Sequence, residues 1–512
     1  MPAMTELEAR FRRLSHIEGA EGVLSWDWAV NMPKGGATVR AAQMATLAEI
    51  GHDILTAPDL PALFDDAAAE LAAGAPADQA GADRLGWQQA NLAEMRRRHA
   101  HATALPADLV RRRAEAASTS EMIWREARAA DDFARFAPAL AQVLKLEREA
   151  AAAKGAALGL PPYEALLDAY DPGRRTADID RIFARLEAEL PVIRDAALAA
   201  QAARPQPVRP QGPFPVAAQR ALGIRLMTMA GFPFDHGRLD VSHHPFSGGV
   251  PDDLRITTRY DEADFAESAM AVLHETGHAL YEHGLPRDWR DQPVGLARGM
   301  TIHESQSLLT EMQASRSRPF MTAFAAAARE AFGAAADDPA YDADNLHALM
   351  VRVRPGFIRV NADEVTYPGH VMLRYGLERA MIAGDLAVDD LPGAWREGMA
   401  RLVGVVPDTD RDGCLQDIHW PSGAFGYFPT YSLGAMAAAQ LFQAARRALP
   451  ALDDDLARGD FSGLLGWLRT HVHGQGCRWS ADELIERATG APLSADAFLG
   501  HLRRRYLGDG PA

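Results

Sequence analysis

Two cysteines, Cys414 and Cys477, are all that the 512 residues contain. That scarcity excludes a disulfide scaffold and makes a reducing compartment, the cytoplasm, the expected location. No stretch approaches the roughly 18 or more apolar residues of a membrane span. The charged start, MPAMTELEARFRRLSHIEGAEG, lacks the apolar block of a signal peptide. Basic residues are outnumbered, with Lys plus Arg at 53 against Asp plus Glu at 69, for a net charge of −16. A surface of that sign repels phosphate backbones and anionic headgroups, so neither nucleic acid nor membrane is an expected partner. Apolar content is ordinary at 48%, enough for a sizeable core. Histidine is the residue that stands out, at 17 copies.

Strand signal is also scarce, and most of the chain reads as helix. Ala, Leu, Arg and Glu dominate, and they lose little side-chain entropy in a helix. Between Thr5 and Val23, residues Leu7, Phe11, Leu14, Ile17 and Ala20 form one apolar stripe. Similar patterns recur over 38–53, 80–99, 107–118, 121–155, 176–203 and 216–230, without the fixed period of a solenoid. The proline-rich stretch from Pro205 to Pro215 cannot continue a helix. It reads equally as a boundary between two halves near 204–216 or as a long connection within one domain. Extended and turn residues concentrate at 237–260, with Gly248-Gly249 and Pro251-Asp252 between two short runs. The expected fold is therefore all-α, with one small β hairpin or sheet.

The helix after that sheet carries His274-Glu-Thr-Gly-His278. It is expected from Glu262 to His283, capped by Asp261 and ended by Gly284 and Pro286. Residues four apart share a helical face, so His274 and His278 can aim at one cation. Glu275 beside the first ligand can take a proton from the attacking water. Gly277 costs roughly 1 kcal/mol against Ala inside a helix, so something should pack closely there. A charged face that binds nothing is the bland alternative. Flanking Phe265, Met270, Val272, Leu273 and Leu280 argue against it, because they bury the helix and buried ionisable groups need partners. A third ligand is available in Thr301-Ile-His-Glu-Ser-Gln306, where Glu304 lies 26 residues past His278. Two His, one Glu and an open position match a catalytic zinc site. His303 is the rival ligand, but as Glu304's neighbour it should point elsewhere.

These residues and their surroundings resemble the Taq-type metallocarboxypeptidases. The resemblance runs through Trp26-Asp-Trp-Ala-Val-Asn-Met-Pro33, His244-Pro-Phe246, Asp253-Leu-Arg-Ile-Thr257, HETGH at 274–278 and HESQ at 303–306. It continues through Ile358-Arg-Val-Asn-Ala-Asp-Glu364, Gly413-Cys-Leu-Gln-Asp-Ile-His-Trp420 and Phe425-Gly-Tyr-Phe-Pro-Thr-Tyr431. It implies a helical, saddle-like fold of the neurolysin kind with a deep groove, built by residues 1–512 as one domain. It further implies removal of single residues from peptide C-termini, one zinc or cobalt ion per subunit, and a homodimer. Thr310 departs from the aromatic more usual there, which bears on local packing only.

An exopeptidase must bind a terminal carboxylate, which a guanidinium does well. Arg359 is the favoured candidate and Arg255 the second. Their structural alternatives are ion pairs with Asp363 and Asp253. Tyr427 and Tyr431 are candidate donors to the tetrahedral intermediate, with Tyr431 favoured by the resemblance to helical peptidases; an aromatic cluster is otherwise core. His244, Gln416, His419, Tyr367 and His370 are groove-lining candidates, with Gln416 and His419 the better two. Asp417 is expected to orient His419 or a metal ligand. The runs Arg96-Arg98, Arg111-Arg113 and Arg503-Arg505 read as solvated faces, Cys414 as packing, and Trp26 and Trp28 as core anchors. The competing functions are an oligo-endopeptidase and a non-catalytic helical protein with a structural metal or none.

Overall fold

Helical periodicity in the sequence becomes a succession of helices from Ala3 to Leu507 in the computed structural model, which describes residues 2–76 and 78–508. The first runs Ala3–Val30 and buries Leu7, Phe11 and Leu14 against Phe64 and Met95 of later helices. Trp26 is core at 2% exposed, whereas Trp28 is 43% exposed, contrary to expectation. Residues two apart on a helix face different sides, so only one of the pair reaches the interior. A much larger core extends from Trp124 to Tyr506. Polar contacts tie the two clusters together, with Asn91 donating to Gln292 at 3.1 Å and Arg298 to Glu94 at 2.5 Å. Among the described residues no helix is long and apolar enough to cross a membrane.

The helical patterns over 107–118 and 121–155 join into one helix and then divide further on. Helix Ala107–Ala130 passes through Ser118-Thr119-Ser120, because a buried face outweighs the weak helix preference of three hydroxyl residues. The break falls at Asp131, which adopts φ 56°, and Asp132 then caps helix Phe133–Leu158 by accepting from the Arg135 amide. The proline-rich stretch connects helices Thr176–Ala202 and Val216–Ala230. Asn345 brackets Val208 with two 2.8 Å bonds, and Phe214 packs on Phe265 and Phe332, with ring centroids 4.9 and 5.0 Å away.

The expected small sheet is present. Strands β1 (Gly237–Val241), β2 (Phe246–Val250) and β3 (Asp253–Thr258) lie in the order β1-β3-β2. β2 and β3 form an antiparallel hairpin, while β1 runs parallel to β3 with Leu239 opposite Ile256. At the hairpin turn Gly249 has φ 94°, and a Cβ there would sit 1.9 Å from the Asp253 carbonyl. Leu239, Leu254 and Ile256 pack on Val272 and Ala279, so the sheet forms a backing for the HETGH helix.

The arginine runs divide. Arg111 makes only exposed pairs, but Arg113 donates two 2.8 Å bonds to the buried Glu147 carboxylate. Arg505 reaches Glu364 at 2.9 Å, with both side chains buried. Glu364 also accepts from His501 at 2.8 Å and Tyr506 at 3.0 Å, which fastens the final helix, Asp496–Leu507, to the body. Burial would raise this carboxyl, but Arg505 and His501 hold it below the ordinary carboxylate range. Its stabilisation is therefore present above about pH 4.3, the unfolded value, and is lost as pH falls toward the depressed folded value. Glu364→Gln, which strands the Arg505 charge, is expected to cost about 3–5 kcal/mol in urea unfolding. It should also flatten the acid-side loss of stability.

Candidate metal centre

The HETGH helix runs Phe265–Gly284, three residues later at its start than predicted, because Asp264 is the cap and accepts from the Ala266 amide at 2.8 Å. Asp261 caps a turn instead, through Ala263. His274 and His278 project from one face. Glu304 comes from the crossing helix Gly299–Leu308, whose start is pinned by Met300 N–H donating to Tyr170 O at 2.7 Å and Thr301 Oγ1 to Asp171 at 2.8 Å.

Glu304 oxygens lie 3.9 Å from His274 Nε2 and 3.6 Å from His278 Nε2. Those separations are too long for hydrogen bonds. They are near the roughly 3.4 Å between neighbouring ligands of a tetrahedral ion with bonds of about 2.0–2.2 Å. All three ligand atoms fall within 4.8 Å of one another. The donor set, two imidazole nitrogens and a buried carboxylate converging on one point, fits a divalent cation.

Two glycines set this geometry. A Cβ at Gly277 would fall 2.5 Å from the Gln306 carbonyl and 2.7 Å from Ser307 Cα, the close packing expected there. A Cβ at Gly434, in helix Pro429–Ala448, would meet Glu304 Cβ at 2.8 Å. Thr310 donates to the Gln306 carbonyl at 2.9 Å. It lines a narrow crevice with Gly277, Leu280, Phe461 and His473.

Both imidazoles are held from behind. His274 Nδ1 is 2.9 Å from Glu311, which also pairs with Arg316 at 2.5 Å. Glu311 lies on the π-helical turn Leu309–Ser315, a wider winding that recurs at functional sites. His303 points away from the ligand triangle, as expected for Glu304's neighbour. Its Nδ1 is 2.6 Å from His278 Nδ1, and its Nε2 is 2.9 Å from Glu282. Sequence reasoning missed Glu282 and Glu311, although the spacing held the first. Glu282 is four residues past His278, on the same helical face.

Glu275 is 7% exposed. Burial pushes its carboxyl up to about 7, with Glu304 adding to the rise and His274 opposing it.

A second cluster gathers residues from 359 to 431. Arg359 does not pair with Asp363, which instead caps the backbone at Val365 and Thr366. Its Nε and Nη2 donate to Asp417 at 3.1 and 2.8 Å, its Nη1 donates to Tyr367 at 2.9 Å, and the guanidinium lies 4.9 Å from the Tyr431 ring centroid. Asp417, expected to orient His419 or a metal ligand, is instead shared between Arg359 and the buried Arg374, the latter at 2.6 Å. His419 Nε2 is 3.3 Å from the Tyr431 hydroxyl, and the Tyr427 and Tyr431 rings are 5.1 Å apart. Burial first, and then the Glu304 charge among others, raises both phenols, so each remains an O–H donor at neutral pH. The same cluster reaches the ligand triangle electrostatically, since Arg359 opposes the burial-driven rise at Glu304.

The remaining candidates sit otherwise. Gln416 commits its amide to backbone, accepting from Arg359 N–H at 2.8 Å and donating to carbonyls of Phe357, Asp412 and Gly413. His370 is fully buried and pushed down to about 3, chiefly by burial and then by Arg374. Arg255 forms its alternative pair with Asp253 at 2.7 Å and covers Trp26 at 4.6 Å. His244 lies exposed before β2, its ring 4.6 Å from that of His243. Cys414 is buried, as packing requires.

Crossed helices presenting two half-buried histidines and a buried Glu, with a carboxylate beside the first ligand, define a metal-dependent peptidase. The chain belongs to the carboxypeptidase Taq (M32) metallopeptidase family, whose model matches residues 6–506. It is 39% identical over 503 residues to thermostable carboxypeptidase 1 of Thermus thermophilus, spanning 97% of this chain and 96% of that one. It is 33% identical over 498 residues to carboxypeptidase 1 of Bacillus subtilis, at 97% and 96% coverage. Its fold superposes on the solved Trypanosoma cruzi metallocarboxypeptidase 1 with a TM-score of 0.94 at 39% identity, covering 98% and 99% of the two chains. The fold, family and enzyme class expected from the sequence are therefore those observed.

Proposed function

We propose that this metallocarboxypeptidase releases single residues from peptides with a free C-terminus, with His274, His278 and Glu304 holding one divalent cation, zinc by preference. Zinc or cobalt would satisfy imidazole and carboxylate alike. A cation there would polarise the scissile carbonyl and lower the pKa of water toward 7. Glu275 then takes the proton from the attacking water and returns it to the leaving amine, a role suited to a carboxyl pushed up to about 7 by burial.

The observation that carries carboxylate recognition is the charge of the second cluster. Two buried arginines share the single carboxylate of Asp417, leaving positive charge in excess. Arg359 spends three of its five N–H donors on Asp417 and Tyr367, so two remain for a substrate carboxylate. His419 and Tyr427 border the same space, and Tyr431 donates to the developing oxyanion. Tyr431→Phe is expected to lower kcat about 10²–10³-fold with KM little changed, measured on a blocked dipeptide. His244 in the connection before β2, Arg255 in β3, and Gln416 through Arg359 take supporting places in substrate binding. Residues 1–512 act as one unit in this reading, because the parts of the site span positions 274 to 431. Two buried free cysteines favour a reducing cytoplasm. Homodimerisation rests on the family resemblance.

The deciding experiment compares blocked dipeptides with free and amidated C-termini. Amidation should lower kcat/KM about 10–100-fold, the worth of hydrogen bonds to a charged group. Equal cleavage would favour the endopeptidase reading and remove the case for Arg359. Chelation should abolish turnover, and zinc or cobalt should restore it.

A further inference from the structure

The two imidazoles of the candidate centre are braced by chemically different groups. Behind His274 stands a carboxylate, Glu311, itself neutralised by Arg316. Behind His278 stands another imidazole, His303, 2.6 Å away between Nδ1 atoms. A contact that short between two ring nitrogens requires one of them to carry the hydrogen and the other to offer its lone pair. His303 Nε2 lies 2.9 Å from the Glu282 carboxylate, which only accepts. A neutral His303 therefore carries its hydrogen on Nε2 and has a bare Nδ1. His278 must then carry its hydrogen on Nδ1, which leaves Nε2, the atom 3.6 Å from Glu304, free as a lone-pair donor.

We propose that Glu282 and His303 form a relay that fixes His278 in its Nδ1–H tautomer, making His303 a positioning residue for the cation site. The inference rests on the reading of His278 as a ligand. The relay reverses the usual arrangement, in which a carboxylate or carbonyl braces the ligand directly. The interposed imidazole has one bare nitrogen only while Glu282 holds its other hydrogen. Without Glu282, His303 is free to carry its hydrogen on Nδ1, where it would oppose the Nδ1–H of His278. The dependence should therefore run along the chain of three groups.

The first measurement uses the metal-free wild-type protein, with ¹⁵N-labelled histidine and long-range proton–nitrogen correlation. The expected result is Nδ1–H at His278 and Nε2–H at His303, assigned by single substitution. The opposite tautomer at either ring overturns the proposal whatever the enzyme's activity. The second is zinc affinity by competition with a chelator, with metal-free unfolding recorded as a control for folding. His303→Phe should weaken zinc binding about 10–100-fold. His303→Asn, which keeps an acceptor oxygen near the position of Nδ1, should recover most of that loss. Glu282→Leu should also weaken binding, and adding it to His303→Phe should produce no further loss, because the two act in series. Full additivity, or wild-type affinity in His303→Phe, overturns the relay. A wild-type protein that binds no zinc would sink the metal reading instead, while the tautomer result would still decide the relay.

Discussion

Glu275→Gln is expected to lower kcat by about 10²–10⁴-fold, the usual worth of a positioned general base. Gln has the same shape but cannot accept a proton from water or return it to an amine. The three ligand atoms belong to other residues, so metal content should remain at one ion per chain and KM should move little. The check is kcat on a blocked dipeptide, with metal analysis of the same preparation. A variant with normal rates would remove Glu275 from the mechanism. One that loses its metal would show that the carboxylate holds the site together and is not the base.

Asp417→Asn is expected to be the most damaging single change in the second cluster. Asp417 is the shared counter-charge of Arg359 and Arg374, whose side chains are 6% and 0% exposed. Burial would raise its carboxyl, but Arg374 and Arg359 hold it below the ordinary range. Its stabilisation is accordingly complete above about pH 3.9 and declines as pH falls below that value. Asn leaves two buried guanidiniums without an anion, a loss of about 3–5 kcal/mol that urea unfolding would read. In whatever fraction stays folded, KM for free C-termini should rise, because Arg359 is no longer held in place. Wild-type stability and KM together would show that the pair of arginines does not depend on this carboxylate.

How much of this was legible depended on sequence separation. The ligand triangle follows from a four-residue spacing on one helix and a nearby second helix, and both are local patterns. The sheet behind it announced itself through glycine and β-branched residues. Arg359 stood out in the sequence as a carboxylate-binding candidate, yet its partner Asp417 lies 58 residues away, and the nearer Asp363 was the natural guess. No local rule reports that a chain will return to deliver a carboxylate. Glu311 was hidden differently, because its π-helical turn follows directly on an α-helix and leaves no compositional mark. Helix ends shifted for a third reason. Asp261 and Asp264 both precede the HETGH helix, and Asp264 is the one whose side chain accepts from its first turn.

The two glycines packed on the crossing helix have a consequence for how closely Glu304 is held. At Gly277 and Gly434 the neighbouring atoms already stand where a methyl group would go. The backbone carrying Glu304 thus meets two neighbouring helices at contacts that leave no room for a side chain. Alanine at either position would shift Glu304 relative to the two imidazoles by a fraction of an ångström. Under the proposed ligand set, zinc and cobalt affinities are expected to change with such a substitution, although it removes no ligand atom, and metal titration would read the change.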